Sequence, residues 1–219
     1  MTRFPPLTQD TAHGVARSLL GDLIARHGEI GSMVATMAHS PAVLGGYLDL
    51  SRAMKRSKLP RQITERISLA VQHRQGCALC LAAHTSGARA AGVDDSEIAM
   101  AREGTSADPA IAALVAFGLQ VYTAPATITD DQIAGLRHHG YTDRQIVDVV
   151  GIVAVNVLTG AFNLVAGFNP RKFPARTGPT AQWNDHSDPD GDWSVLPGCG
   201  HVRGATDQLK LPEFMLALL

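Results

Sequence analysis

The chain has 219 residues, 45% of them apolar and 18% charged, which is enough material for one domain with a sizeable core and excludes a disordered chain or a fibrous repeat. Nineteen Lys and Arg against twenty Asp and Glu give a formal net charge of -1, so there is no basic field to hold a phosphate backbone and nucleic acid is not expected as a partner. The opening residues, MTRFPPLTQD, lack the apolar stretch of a secretory signal, and the expected location is cytoplasmic.

Ala, Leu, Arg and Gln dominate and no long alternating run of β-branched residues is bounded by turns, which predicts an all-α fold. Thr8 can cap a first helix running through Leu19, Leu20, Leu23 and Ile24 to Gly28, a residue suited to the left-handed position past a helix end. Two shorter helices are expected over 31–39 and 42–56. Pro60 then opens RQITERISLAVQHRQ, where Ile63, Ile67 and Val71 recur every four residues as one apolar stripe and Glu65 stands two residues past its start. Gly76 marks a break, and Cys77 begins a helix that ends near Gly92.

Asp94 with Glu97 forms a start like a capping box, and Asp108-Pro109, Thr129 and Thr142 begin three further helices. The last of these contains the most apolar run, 146–168, which has the length of a membrane span. Asp148, Asn156 and Asn163 interrupt it and would be expensive in lipid, so it reads as a buried helix and no membrane association is expected. Beyond Pro170 the composition shifts to Gly, Pro, Asp and Trp and ends in LPEFMLALL. This predicts a helical domain over 1–170 and an irregular C-terminal arm over 171–219, packed on the core or on a neighbouring subunit.

A weak internal repeat runs through the helical part. Arg61-Gln62-Ile63-x-Glu65 returns as Arg144-Gln145-Ile146-x-Asp148, and the second copy places Gly160 and Asn163 where the first has Cys77 and Cys80. So few identities leave chance as a rival; a true repeat would confine the chemistry to the first half.

Three cysteines are too few, and odd in number, for a disulfide framework, so the Cys77/Cys80 pair points to redox or metal chemistry. On a helix Cys77, Cys80 and His84 share one face. A thiol at a helix start meets the positive end of the dipole, and the CxxC spacing lets a disulfide close with little backbone movement. His84 can exchange a proton on the Cys80 side, and Glu65 on the preceding helix can complete a relay. Zinc is the other use, with Cys77, Cys80 and His84 as three ligands and Glu65 or the Cys199/His201 pair as a remote fourth. His73 reads as a capping or surface group, and His138-His139 invites a metal reading. The acidic turn Asp188-Pro189-Asp190-Gly191-Asp192 reads as a turn, since Cys199 stands where a calcium loop needs glutamate. Asn156 and Asn163 read as buried amides bonding between helices.

Glu65, a CxxC pair twelve positions on, then three residues and the histidine His84, followed by Ala-Ala-Gly and an acidic N-cap, resemble the alkylhydroperoxidase D-like motif of the carboxymuconolactone decarboxylase superfamily. The resemblance covers about residues 59–168. It implies an alkylhydroperoxidase D-like helical bundle, a homo-oligomer (trimer or hexamer), and thiol-dependent reduction of small hydroperoxides with no bound cofactor, recycled by an external dithiol or disulfide-reductase partner. It further implies that Cys80 attacks the peroxide and Cys77 resolves it and exchanges with the reductant as the more accessible sulfur. His84 and Glu65 would relay protons. Leu79 stands where well-studied members have a histidine between the cysteines. The alternative activity within the superfamily is a lyase acting on a cyclic carboxylic acid through His and Glu.

Overall fold

In the computed structural model of the chain, which describes residues 2–168, regular structure is helical throughout and no strand occurs among the described residues. The helices are α1 (Gly14–His27), α2 (Ser32–Met37), α3 (Pro41–Met54), α4 (Arg61–Gln75), α5 (Ala78–Ala90), α6 (Asp95–Arg102), α7 (Pro109–Thr123), α8 (Asp130–His138) and α9 (Asp143–Ala166), with a 3-10 turn at Pro125–Thr127. The fold is all-α, as the composition predicts. The residues 169–219, with Cys199, His201, the acidic turn and the apolar end, lie outside the described residues.

Most helix starts follow the expected chemistry. Asp94 accepts from Glu97 N, Asp108 accepts from Ala110 N and Ile111 N ahead of Pro109, and Thr129 and Thr142 form capping boxes with Gln132 and Gln145. Thr8 departs from expectation. Its hydroxyl accepts from Thr11 N while Thr11 Oγ1 accepts from Thr8 N, so the two side chains satisfy a single turn and α1 starts later, at Gly14. Gly28 closes α1 at φ 81, and Gly76 closes α4 at φ 77, ψ 24, a left-handed conformation that glycine adopts without the usual Cβ clash.

Helix α4 runs through the middle of the molecule. On one side Ile63, Ile67 and Val71 pack with Leu114 and Phe117 of α7 and with Val149 and Val153 of α9. On another, Leu69 packs with Ala88, Val93, Ile98 and Ala101 of the α5–α6 layer. A second core formed by α1, α2 and α3 around Leu20, Leu44 and Tyr47 closes on α9 through Val155, Leu158 and Phe162. Gly118 permits the close approach of α7, because a Cβ there would sit 2.9 Å from Ile67 Cγ2 and 3.4 Å from Val149 Cγ1.

Because α4 is covered nearly all round, its polar residues must find partners inside the protein. Ser68 Oγ donates to Thr64 O and accepts from Asn156 Nδ2, while Gln72 Nε2 donates to both Asn156 O and Asn156 Oδ1. Asp148 accepts from Lys58 N and Ser57 Oγ, and Gln75 Nε2 donates to Val157 O. These bonds advance along both helices together, so α4 and α9 run side by side in the same direction. The repeated segments thus begin two partner helices; the first copy breaks at Gly76, whereas the second has Thr159 at that position and continues.

Among the described residues α9 is long and apolar enough to cross a membrane by length and composition. Its polar residues are nevertheless turned inward: Asp148 to the start of α4, Asn156 to the middle of α4, and Asn163 to the start of α5.

Arg66 and Glu97 join α4 to α6 by a 3.0 Å ion pair, and Glu97 also accepts from Ser106 Oγ and Ala107 N. Burial alone pushes the Glu97 carboxyl upward, but the bonds from Ser106, Ala107 and Arg66 outweigh it and hold the group below the usual glutamate range. A depressed native pKa stabilises the fold above the unfolded value of about 4.3 and is lost as pH falls through the lowered one. Glu97→Gln is therefore expected to flatten the acid limb of stability against pH, measured by urea unfolding at a series of pH values; an acid limb identical to the parent would contradict this.

Candidate functional site

The break at Gly76 sets the candidate site. Cys77 follows it in extended conformation (φ -85, ψ 90) as the N-cap of α5, and its sulfur accepts from Cys80 N at 3.3 Å. The backbone N–H groups of a first helical turn have no partners within the helix, so a sulfur in this position meets an unmet donor and the positive end of the helix dipole. Cys77 and Cys80 are joined as a disulfide with their Cα atoms 5.3 Å apart.

His84 lies one turn further along α5, at 5% exposure, and its Nδ1–H donates to Glu65 Oε2 at 2.9 Å. Glu65, 8% exposed on α4, is held from its other side by Arg61 Nε, 3.3 Å from Oε1. With Nδ1 committed to the carboxylate, Nε2 is the ring's remaining proton acceptor. All four residues singled out in the sequence, Glu65, Cys77, Cys80 and His84, therefore gather where α4 meets α5.

Gly87 makes this meeting possible. Cys80, His84 and Gly87 follow one another at helical spacing on one face of α5. A Cβ at Gly87 would lie 2.6 Å from Glu65 Oε1 and 2.9 Å from Oε2, inside van der Waals contact. The carboxylate occupies the space that any larger residue would take. An isolated glycine within a helical pattern was the sole sequence trace of this role, and it carries no information about which neighbour comes close.

Asn163 is the second residue the sequence reading did not place at the site. It lies on α9, is 4% exposed, and its Nδ2 donates to Cys80 Sγ at 3.2 Å. It does bond between helices, as expected of a buried amide, but its acceptor is a sulfur of the CxxC pair. The second half of the repeat thus contributes a contact to the site, contrary to the expectation that the chemistry stays in the first half. Asn156 meets the expectation fully, bonding only to α4 and its own helix.

Cys77 is 0% exposed and Cys80 5%, so Cys77 is not the more accessible sulfur in this oxidised form; its position beneath the α4–α5 corner, tied to its own helix start, encloses it. His73 is a surface residue with its Nε2 3.6 Å from Glu103 Oε1. Among the described residues, no group of three or more His, Cys, Asp or Glu side chains is arranged to hold a metal ion. The remote Cys199/His201 ligands weighed for zinc lie outside the described residues.

Residues 41–124 match the Carboxymuconolactone decarboxylase family. No curated protein sequence matches the chain. Several solved structures share its fold. An uncharacterized peroxidase-related protein from Ralstonia eutropha JMP134, described as an alkylhydroperoxidase AhpD core, superposes with a TM-score of 0.64 at 21% identity over 76% of this chain and 90% of that one. An uncharacterized peroxidase-related protein from Silicibacter sp. TM1040 gives 0.61 at 18% identity over 75% and 91%. The debrominase Bmp8 gives 0.59 at 20% identity over 76% and 91%. The chain thus matches the Carboxymuconolactone decarboxylase family over residues 41–124, and its helical fold is similar to that of the alkylhydroperoxidase AhpD core.

Proposed function

We propose that the chain is a thiol-dependent peroxidase that reduces organic hydroperoxides through Cys77 and Cys80. The observation that carries this reading is the coincidence of a redox-competent sulfur pair at a helix start with a buried His84–Glu65 hydrogen bond of 2.9 Å one turn away. A buried dithiol used only for packing would not need an imidazole held by a carboxylate beside it. The family match and the peroxidase-related fold neighbours support the same class.

In the reduced enzyme the Cys80 thiol gives its proton to the imidazole of His84, which Glu65 holds in place through Nδ1. The Cys80 thiolate then attacks the distal peroxide oxygen. An S–O bond forms and the O–O bond breaks; sulfur is oxidised to sulfenic acid, and the departing alkoxide takes the proton back from the imidazolium and leaves as an alcohol. Cys77 attacks the Cys80 sulfur, the hydroxyl departs with the Cys77 proton as water, and the disulfide closes. An external dithiol restores the pair through a mixed disulfide and is itself oxidised. Because both sulfurs are enclosed in the disulfide form, the reductant needs the first turn of α5 to open.

Cys80→Ser is expected to abolish peroxide turnover with a dithiol reductant, and Cys77→Ser to stop at the sulfenic acid or to cycle slowly with added thiol. Peroxide consumption unaltered in both would overturn the reading. Gly87→Ala is expected to push the Glu65 carboxylate off His84 and to lower turnover by at least about tenfold, within the range lost when a general acid–base group is displaced. Shortening the acid in the Gly87→Ala, Glu65→Asp double variant is expected to recover part of that loss, and a steady-state assay of the three proteins decides it.

A further inference from the structure

The two sulfurs of the CxxC pair meet different donors. Cys77 Sγ accepts a backbone N–H of its own helix, from Cys80, at 3.3 Å; Cys80 Sγ accepts the Asn163 side-chain amide of α9 at 3.2 Å. The Asn163 side chain is buried, yet its Oδ1 has no hydrogen-bond partner. Three residues earlier on the same face of α9 stands Gly160, where a Cβ would lie 2.6 Å from Gln72 Oε1 and closer still to Gln75 Oε1; both of these buried oxygens also lack partners. Asn163 of α9 therefore presents one donor, already aimed at a sulfur, and one acceptor that awaits a donor, while the two glutamine oxygens that also await one face α9 from α4. An unmet buried acceptor is costly, and it is tolerated most readily where a reacting group supplies the missing hydrogen.

We propose that Asn163 is a catalytic residue of the dithiol site: its amide N–H holds Cys80 in the thiolate form and so gives the attacking role to Cys80. The inference deepens the peroxidase reading and rests on it. A hydrogen bond offered to the charged form of an acid favours that form, and charge-assisted bonds are about twice as strong as neutral ones. The bond to the disulfide sulfur becomes such a bond when the pair is reduced and Cys80 ionises. Oδ1, on the same amide carbon, is then the acceptor for the hydrogen that the distal peroxide oxygen keeps as it becomes the sulfenic hydroxyl. No atom or electron beyond those of the peroxide step is involved.

The charged and titratable groups around Cys80 are few, and the first is its partner Cys77, one turn earlier at the start of α5. His84 follows Cys80 on α5 and Glu65 faces His84 from α4, with Arg61 beyond. Arg102 of α6 reaches α5 at Thr85. Helix α9 carries no titratable group between Asp148 and its end, where Arg3 donates to the carbonyls of Leu164 and Val165. Substituting Asn163 leaves all of these in place.

The test is the pH dependence of alkylation of each cysteine by iodoacetamide in the reduced full-length protein, read by peptide mass spectrometry between about pH 5 and about pH 10, the span over which protein thiols ionise. In the unaltered protein Cys80 is expected to react at lower pH than Cys77; the reverse order overturns the proposal without recourse to any variant. Asn163→Ala is expected to move the Cys80 profile up by about one pKa unit, about a tenfold loss of thiolate at neutral pH, and leave that of Cys77 in place. Asn163→Asp, which keeps the shape but replaces the donor with an acceptor, is expected to move it further. Cys80 profiles that superimpose on the parent in both variants overturn the proposal. A cavity that merely admits water would ease ionisation of Cys80 and move its profile down, opposite to the shift expected from losing the donor. The assay contains no peroxide, so a shifted profile in a protein that fails to consume peroxide defeats only the peroxidase reading, and an unshifted profile in an active peroxidase defeats only this inference.

Discussion

The hydrogen bond between Glu65 and His84 joins the two helices on which the site is built, and both partners are more than nine-tenths buried. A carboxylate enclosed at that depth is costly unless it is bonded, and removing one partner of such a pair typically costs about 3–5 kcal/mol. The corner between α4 and α5 is thereby committed to one arrangement. Gly76 turns the chain in a left-handed conformation, Cys77 caps the new helix, and Gly87 yields the space into which the carboxylate fits. The same bond that secures the corner holds the imidazole one turn from Cys80, so stability and the proposed chemistry depend on one contact.

Helix α4 extends that logic across the molecule. Its apolar stripe meets α7 and α9, while Glu65 bonds to α5, Arg66 to α6, and Ser68 and Gln72 both to Asn156 of α9. Polar bonds of this kind add little net stability individually, about 0.5–1.5 kcal/mol each, but a wrong register would leave several of them unmet at once. The arrangement therefore fixes how far each helix slides along its neighbour. Through it Asn163 of α9 comes to lie against Cys80 of α5, eighty-three positions away in the chain.

Much of this was legible in the sequence, because the signals were local. Asp94, Asp108, Thr129 and Thr142 announce helix starts by side-chain chemistry that acts within one turn, and Gly28 and Gly76 announce ends by backbone conformation. The spacing from Cys77 to Cys80 to His84 is likewise internal to one helix. Glu65 could be named as a candidate from its place on the preceding helix and from the family resemblance, but its meeting with His84 depends on how two helices cross. Gly87 and the sulfur contact of Asn163 depend on that crossing and on the seating of α9, and no short-range pattern reports either. The extended start assumed for α1 failed for a local reason that was visible but ambiguous: Thr8 and Thr11 satisfy each other and end the turn they begin.

The account stands on electron transfer between two neighbouring sulfurs with His84 and Glu65 handling the proton. Mass spectrometry of the peptide spanning Cys77 and Cys80, after the reduced full-length protein meets one equivalent of an organic hydroperoxide, tests this most directly. Loss of two hydrogens within that peptide, matched by conversion of the hydroperoxide to its alcohol, is the result the account predicts. A peptide that remains a dithiol while the hydroperoxide is consumed, or a hydroperoxide left intact, would contradict it.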